Sequence, residues 1–215
     1  VLIMEILKRI LNIFTPRKSS TPQFVDLGLP SGLKWAKCNV GAKKETDYGY
    51  YFQWGDIVDK RKSNRGWKRY KHCKGTKETM TKYCRYLLHG TATDKSTLDP
   101  EDDAATQIMG GKWRMPTIAE FGELLYNTTK EWIQVNGVNG YKFTSSNNGN
   151  SIFIPAAGAY LDDSMYGVGE YGDVWSSSLN TSYPYNAWGL HFCAGKYDID
   201  YYASYYSLPV RGVMK

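Results

Sequence analysis

Beyond residue 130, turn residues cut every apolar stretch of this chain before it could complete a helix. That punctuation constrains the fold more than any other feature. Residues 132–135, 140–144, 151–158, 173–178, 187–192 and 208–213 form short runs rich in aromatic and β-branched residues, bounded by Gly, Pro, Asn, Asp or Ser. Such runs read as strands. Upstream, Phe24 to Ala36 reads as two strands around Pro30-Ser31-Gly32, and Tyr48 to Gly55 as a further strand-like run. With 21 Gly and 8 Pro in 215 residues, many turns and few long helices are expected.

Two helices fit between these halves. Residues 98–109 read as a helix with Asp99 as N-cap, Pro100 at the first position and acids in the first turn, stopped by Gly110-Gly111. A second helix follows Pro116. Thr117 is its N-cap, Glu120 completes a capping box, and Phe121, Leu124 and Leu125 form its apolar face. Two helices followed by a β-rich half give an α+β plan over residues 24–215.

Residues 1–14 have apolar Ile6, Leu7, Ile10, Leu11 and Phe14 at helical spacing, interrupted by Lys8 and Arg9. A short amphipathic helix is expected, too short and too charged for a membrane span or a signal peptide core. Its apolar face suits packing on the domain, on a partner or second copy, or on a membrane surface, in that order. Residues 15–23 read as a polar linker. Residues 57–90 are a basic insertion, with eleven Lys or Arg against Asp59 and Glu78 and with Trp67, Tyr70, Tyr83 and Tyr86 interleaved. No nucleic-acid signature accompanies them, so a solvated insertion pinned by its aromatics is expected and no specific nucleic acid partner.

The segment 182–206 carries the functional signal. It holds seven of the 18 tyrosines, mixed with Ser, Ala, Gly, Asp, Asn, His and Cys. That is the composition of binding loops: Tyr gives large amphipathic contact area, and small residues give adaptability. The candidate ligand-binding residues are Ser182, Tyr183, Tyr185, Asn186, Gly189, His191, Cys193, Ala194, Tyr197, Asp198, Asp200, Tyr201, Tyr202, Ala203, Ser204, Tyr205 and Tyr206. Trp188, Leu190, Phe192, Lys196 and Ile199 are their expected framework. The exposed positions are expected to contribute little to stability, so many side chains can be presented without refolding.

Catalytic and metal signatures are weak. Cys38, Cys73, Cys84 and Cys193 form no CxxC, and His72, His89 and His191 form no HExxH. Cys73 and Cys84 are near enough in sequence to pair, and independent thiols are the plainer reading. His191 and Cys193 share a face if they lie on a strand, but no third orienting group is visible, and no catalytic residue is expected. Asp102 and Asp103 suit capping and helix-dipole roles. Asp162-Asp163 could contribute to a calcium site, yet no metal or cofactor is expected. The Gly-rich pieces at 147–150 and 167–169 do not lead from a strand into a helix, which argues against phosphate cradles. Trp175, Trp188 and Arg211 read as buried framework, with Arg211 bonding loop carbonyls.

Several phrases together resemble the FISUMP-type domain, a bacterial family. They are Val25–Ala36, Cys38–Ala42, Tyr51–Gly55, Leu98–Ala105, Trp113–Thr117, Asn150–Gly158, Trp175–Ser178 and Val210–Val213. The resemblance implies a fold similar to C-type lectins and to the formylglycine-generating-enzyme scaffold, with two helices and short twisted antiparallel strands. It does not carry the enzyme activity, because that chemistry uses a cysteine pair in the C-terminal half and Cys193 stands there alone. The tail also resembles the variable proteins of diversity-generating retroelements, in which adenine-directed mutagenesis scrambles AAY codons. Such codons never become Lys, Glu, Gln, Met or Trp, and the candidate positions all obey that restriction. The resemblance implies recognition of a protein or glycan surface, by a phage virion or at a bacterial cell surface. An invariant adhesin or glycan-binding module of the same family is the alternative.

Overall fold

The computed structural model describes residues 23–62 and 65–215, so the expected N-terminal helix and nearly all of the linker lie outside the described residues. Among the described residues the architecture is α+β: antiparallel strands in four small sheets, with two short α-helices. The first sheet joins β1 (Phe24–Asp26) to β2 (Lys34–Asn39) and β2 to the last strand, β13 (Arg211–Met214). The chain turns between β1 and β2 at Pro30-Ser31-Gly32, where the Gly32 amide donates to the Leu29 carbonyl.

Of the run Tyr48–Gly55 only β3 (Phe52–Gln53) is a strand. The preceding residues are held by side chains, as when the Tyr51 hydroxyl donates to the Ala157 carbonyl at 2.6 Å. The expected helix over 98–109 is broken. A 3-10 turn covers Pro100–Asp102, and α1 (Ala104–Met109) starts one turn later. Its N-cap is Asp103, whose carboxylate accepts from the Thr106 amide, whereas Asp99 makes no capping bond. Asp102 does no capping either, because its carboxylate is turned inward to Lys71, Lys82 and Tyr83. Helix α2 (Ile118–Tyr126) carries the expected capping box, Thr117 with Glu120, and buries Phe121 and Leu124.

A meander follows: β4 (Thr128–Val135), β5 (Val138–Ser145) and β6 (Ser151–Pro155). The β4–β5 turn is Asn136-Gly137, both at positive φ (49° and 81°), the two-residue geometry whose twist matches the flanking strands. The Asn-rich turn after β5 is a docking turn, since Asn147 and Asn148 donate to the carbonyls of Gly28 and Asp26. Short strands β7 (Ala159–Leu161) and β8 (Ser164–Tyr166) form a hairpin joined through β12 (Ser207–Leu208) to β3. Finally β9 (Tyr171–Leu179), β10 (Asn186–Cys193) and β11 (Lys196–Ala203) form a sheet of order β11-β10-β9. The stretch 196–203, read from its composition as binding loop, is therefore an edge strand.

Two adjoining apolar clusters hold these pieces. One packs α2 and Trp35 against Phe143, Ile152, Val174, Leu190 and Phe192, and the other gathers Phe52, Trp54, Met115, Trp175 and Leu208. Each fully buried large side chain contributes about 1.5–3 kcal/mol. Trp54 and Trp175 also donate to the Ser176 and Phe52 carbonyls, which stitches β3 to β9. Arg211 is fully buried and donates to the carbonyls of Ala36, Lys37 and Phe153 and to the Asn39 side chain. Burial lowers its pKa to about 10.

The insertion 57–90 has little regular structure, but a small core of Tyr70, Met80 and Cys84, with Trp67, Cys73 and Tyr205 against it, fixes its second half. All four cysteines are free thiols. Lys71, Lys82 and Tyr83 tie the insertion to Asp102, whose carboxyl burial alone would raise; these three donors hold it down at about 2 instead. Trp67, Tyr70 and Tyr83 thus anchor the insertion, while Tyr86 stays exposed.

Candidate functional site

The candidate positions gather on the β9–β11 sheet, and strand alternation sorts them. On β10, Leu190 and Phe192 point into the core, so His191 and Cys193 point away from it. Residues directly opposite in an antiparallel pair share a face. His191 lies opposite Asp173 on β9 and Asp198 on β11, Cys193 opposite Tyr171 and Lys196, Gly189 opposite Asp200, and Ala187 opposite Tyr202. The face that carries His191 therefore also carries Cys193, Lys196, Asp198, Asp200 and Tyr202, with Tyr171 and Asp173 beside them, while at its other end Ala187, Gly189 and Trp175 are buried.

Asp173 is the hub. It is 3% exposed, and its Oδ1 accepts from the Tyr202 hydroxyl at 2.5 Å and lies 2.7 Å from His191 Nδ1. This is the third orienting group for His191 that the tail alone did not reveal. The Asp173 hydrogen bond raises the His191 pKa. Burial, followed by the Asp173 charge, pushes the Tyr202 hydroxyl far above the usual phenol range, so it stays a donor. Among the described residues, the one side-chain hydrogen bond of His191 is to Asp173. The arrangement fixes an imidazole in place and leaves Asp198 and Asp200 exposed as acceptors, with Lys196 exposed on the same face.

A second group sits on the opposite side of the hairpin. Tyr197 and Tyr201 lie opposite Phe192 and Trp188, at the rim of the core-facing side. Lys130 stands over the Tyr197 ring at 5.0 Å, and Tyr201 stacks on exposed Tyr183 at 5.2 Å. Ser182 is exposed on the approach to β10, and Ala194 is exposed in the β10–β11 turn, whose Gly195 has φ 78°. A third group leans on the insertion. Tyr205 contacts Trp67 at 5.0 Å, Tyr185 contacts His89 at 5.4 Å, and Lys77 lies over the Tyr185 ring. Tyr206 bridges Tyr205 and Tyr202, and Ala203 is half-buried.

The segment is thus not one uniformly exposed surface. Asn186, Gly189 and Ser204 are buried and do not reach a partner. The backbone of Ser204 is spent on Tyr185 and Trp54, and a Cβ on Gly189 would meet the Val174 carbonyl oxygen at 2.7 Å. Tyr202, Tyr205 and Tyr206 pack on the clusters below, so they contribute to stability, contrary to expectation for exposed positions. Of the expected framework, Leu190 and Phe192 are fully buried, Trp188 and Ile199 half-buried, and Lys196 exposed. Asp173 and Tyr171 were missed. Their period-two spacing with buried Trp175 was the available signal.

Among the described residues, the one acidic cluster elsewhere is already neutralised. Asp99, Glu101 and Asp102 come close enough to share a cation, but the Lys82 ammonium lies 2.6, 3.2 and 2.6 Å from them, and Lys71 and Lys95 add to it. Asp163 faces Arg65 at 3.5 Å. No family model, curated protein or solved structure matches the chain.

Proposed function

We propose that this is a non-catalytic ligand-binding protein on a C-type-lectin-like scaffold, and that its recognition surface is the outer face of the β9–β11 sheet with the tyrosines flanking it. One observation carries the reading: along 190–193 and 198–200 of two adjacent strands, residues of binding-loop type alternate with core residues. His191, Cys193, Asp198 and Asp200 face out while Leu190, Phe192 and Ile199 pack below. A face built this way can change its outer side chains while its core stays constant. That is the property a variable protein of a diversity-generating retroelement requires. The partner is a protein or glycan surface, met from a phage virion or a bacterial cell surface. The ordered, acceptor-rich centre favours ligands that bring hydrogen-bond donors.

The DNA around the coding sequence tests the variable-protein reading. A reverse transcriptase gene is expected nearby, with a near-copy repeat that differs from the 3′ end at adenines. The differences should fall in the codons for residues 191, 193, 198 and 200. Absence of both genes and repeat would sink retroelement diversification and leave an invariant binding module.

A further inference from the structure

The insertion carries an apolar tip that neither the fold nor the binding face uses. Arg85, Tyr86, Leu87 and Leu88 are four consecutive exposed residues, with Leu87 81% and Leu88 82% exposed. Hydrogen bonds hold the base of the tip. The Met80 amide donates to His89, the Thr91 amide to Met80, and the Cys84 thiol to the Tyr86 carbonyl. Gly90, at φ 128°, closes the turn where a Cβ would meet the Met80 carbonyl oxygen at 2.1 Å. Two leucines displayed on a braced turn forgo the stabilisation that burial would give each of them. Leu87 also lines an open groove of about 520 Å³ with Lys74, Glu78 and Met80.

The charge around the tip is mostly positive. Between residues 65 and 92 the only acid is Glu78. Several cations of the stretch are neutralised: Arg65 by Asp163, Lys71 and Lys82 by Asp102, and Lys77 by Glu78. Lys68, Arg69, Lys74 and Arg85 are exposed and form no ion pair among the described residues. Arg85 adjoins the tip in sequence and Lys74 shares its groove. Lys68 and Arg69 follow Trp67, which reaches the tip through Tyr185 and His89.

From this we infer that the turn at Leu87-Leu88 inserts into an anionic lipid bilayer. The leucines and the Tyr86 ring enter the interface while Lys74, Arg85, Lys68 and Arg69 meet the anionic headgroups. A convex apolar tip with a cationic collar suits a soft, negatively charged acceptor better than a preformed protein pocket. Each cation near such a surface strengthens binding about fivefold, an effect screened by salt. The inference is independent of retroelement diversification.

Co-sedimentation of the full chain with vesicles tests it, using phosphatidylcholine alone or mixed with phosphatidylglycerol. Binding is expected to the mixed vesicles, to weaken at least about tenfold in high salt, and to be lost by the double variant Leu87→Ser, Leu88→Ser. Because these side chains are exposed, the variant should melt like the parent, and Lys74→Glu with Arg85→Glu provides a second variant in which the tip is intact. Three results overturn the inference: equal binding to neutral and anionic vesicles, a serine variant that binds as well as the parent, or no vesicle binding while the serine variant alters self-association. The last would assign the tip to a protein contact.

Discussion

Asp173 shows how one buried carboxylate can order the proposed recognition face. It has two donors, the His191 ring and the Tyr202 hydroxyl, and it fixes both side chains. Because its partner raises the His191 pKa, the stabilising charge interaction is fully present below the unfolded value near 6.5 and fades as pH rises through the folded value. Asp173→Asn removes the charge and keeps the shape. Its His191 titration, followed by proton NMR, is expected to move down towards about 6.5. The variant should also lose more stability at pH 5 than at pH 9. An unmoved His191 titration would refute the assignment. None of this was legible in residues 182–206, because Asp173 lies on a neighbouring strand and meets His191 only through strand register.

At the scale of elements, legibility followed local chemistry. Helix α2 was readable because Thr117 and Glu120 satisfy its first amides through side chains close in sequence. The helix expected from residue 98 failed for a non-local reason. Asp102 has the composition of a helix start, yet its carboxylate is claimed by Lys71 and Lys82 from the insertion, and the α-helix begins only after Asp103. Strand β11 was hidden by its polar edge position, where Tyr197, Asp198, Asp200 and Tyr201 are exposed and Ile199 and Tyr202 alone pack on the apolar clusters. The Asp102 joint makes a prediction of its own. Asp102→Asn is expected to cost about 2 kcal/mol and to expose the insertion to limited proteolysis. The folded carboxyl is held at about 2, so its contribution is present above the unfolded value near 3.9 and is lost as pH falls towards 2. The variant's stability should accordingly be flatter in acid than the parent's, and matching acid limbs in urea titrations would contradict the joint.

For the whole molecule, the question is how a domain of small sheets could tolerate change on one face. Sequence pattern identified the α+β plan and the region of the face but could not separate its positions, because Tyr, Ser and Asn look alike whether they line a surface or brace a loop. Depth separates them. Asp198 and Asp200 are exposed and Cys193 belongs to neither large cluster, whereas Phe192, between Cys193 and His191, is fully buried among Trp132, Tyr141 and Phe143. Replacing Cys193, Asp198 and Asp200 together by Tyr is expected to change stability by no more than about 1 kcal/mol, a shift of about 2–4 °C in the midpoint. Phe192→Ala alone should cost about 3–5 kcal/mol, because it removes a ring and leaves a cavity between the sheets. Thermal melts of the two proteins decide the matter. If the outer triple variant lost as much as the single core change, the face would be part of the fold's support and could not serve as an exchangeable recognition surface. If the ordering holds, a single change in the core limits this fold more than three changes on its face.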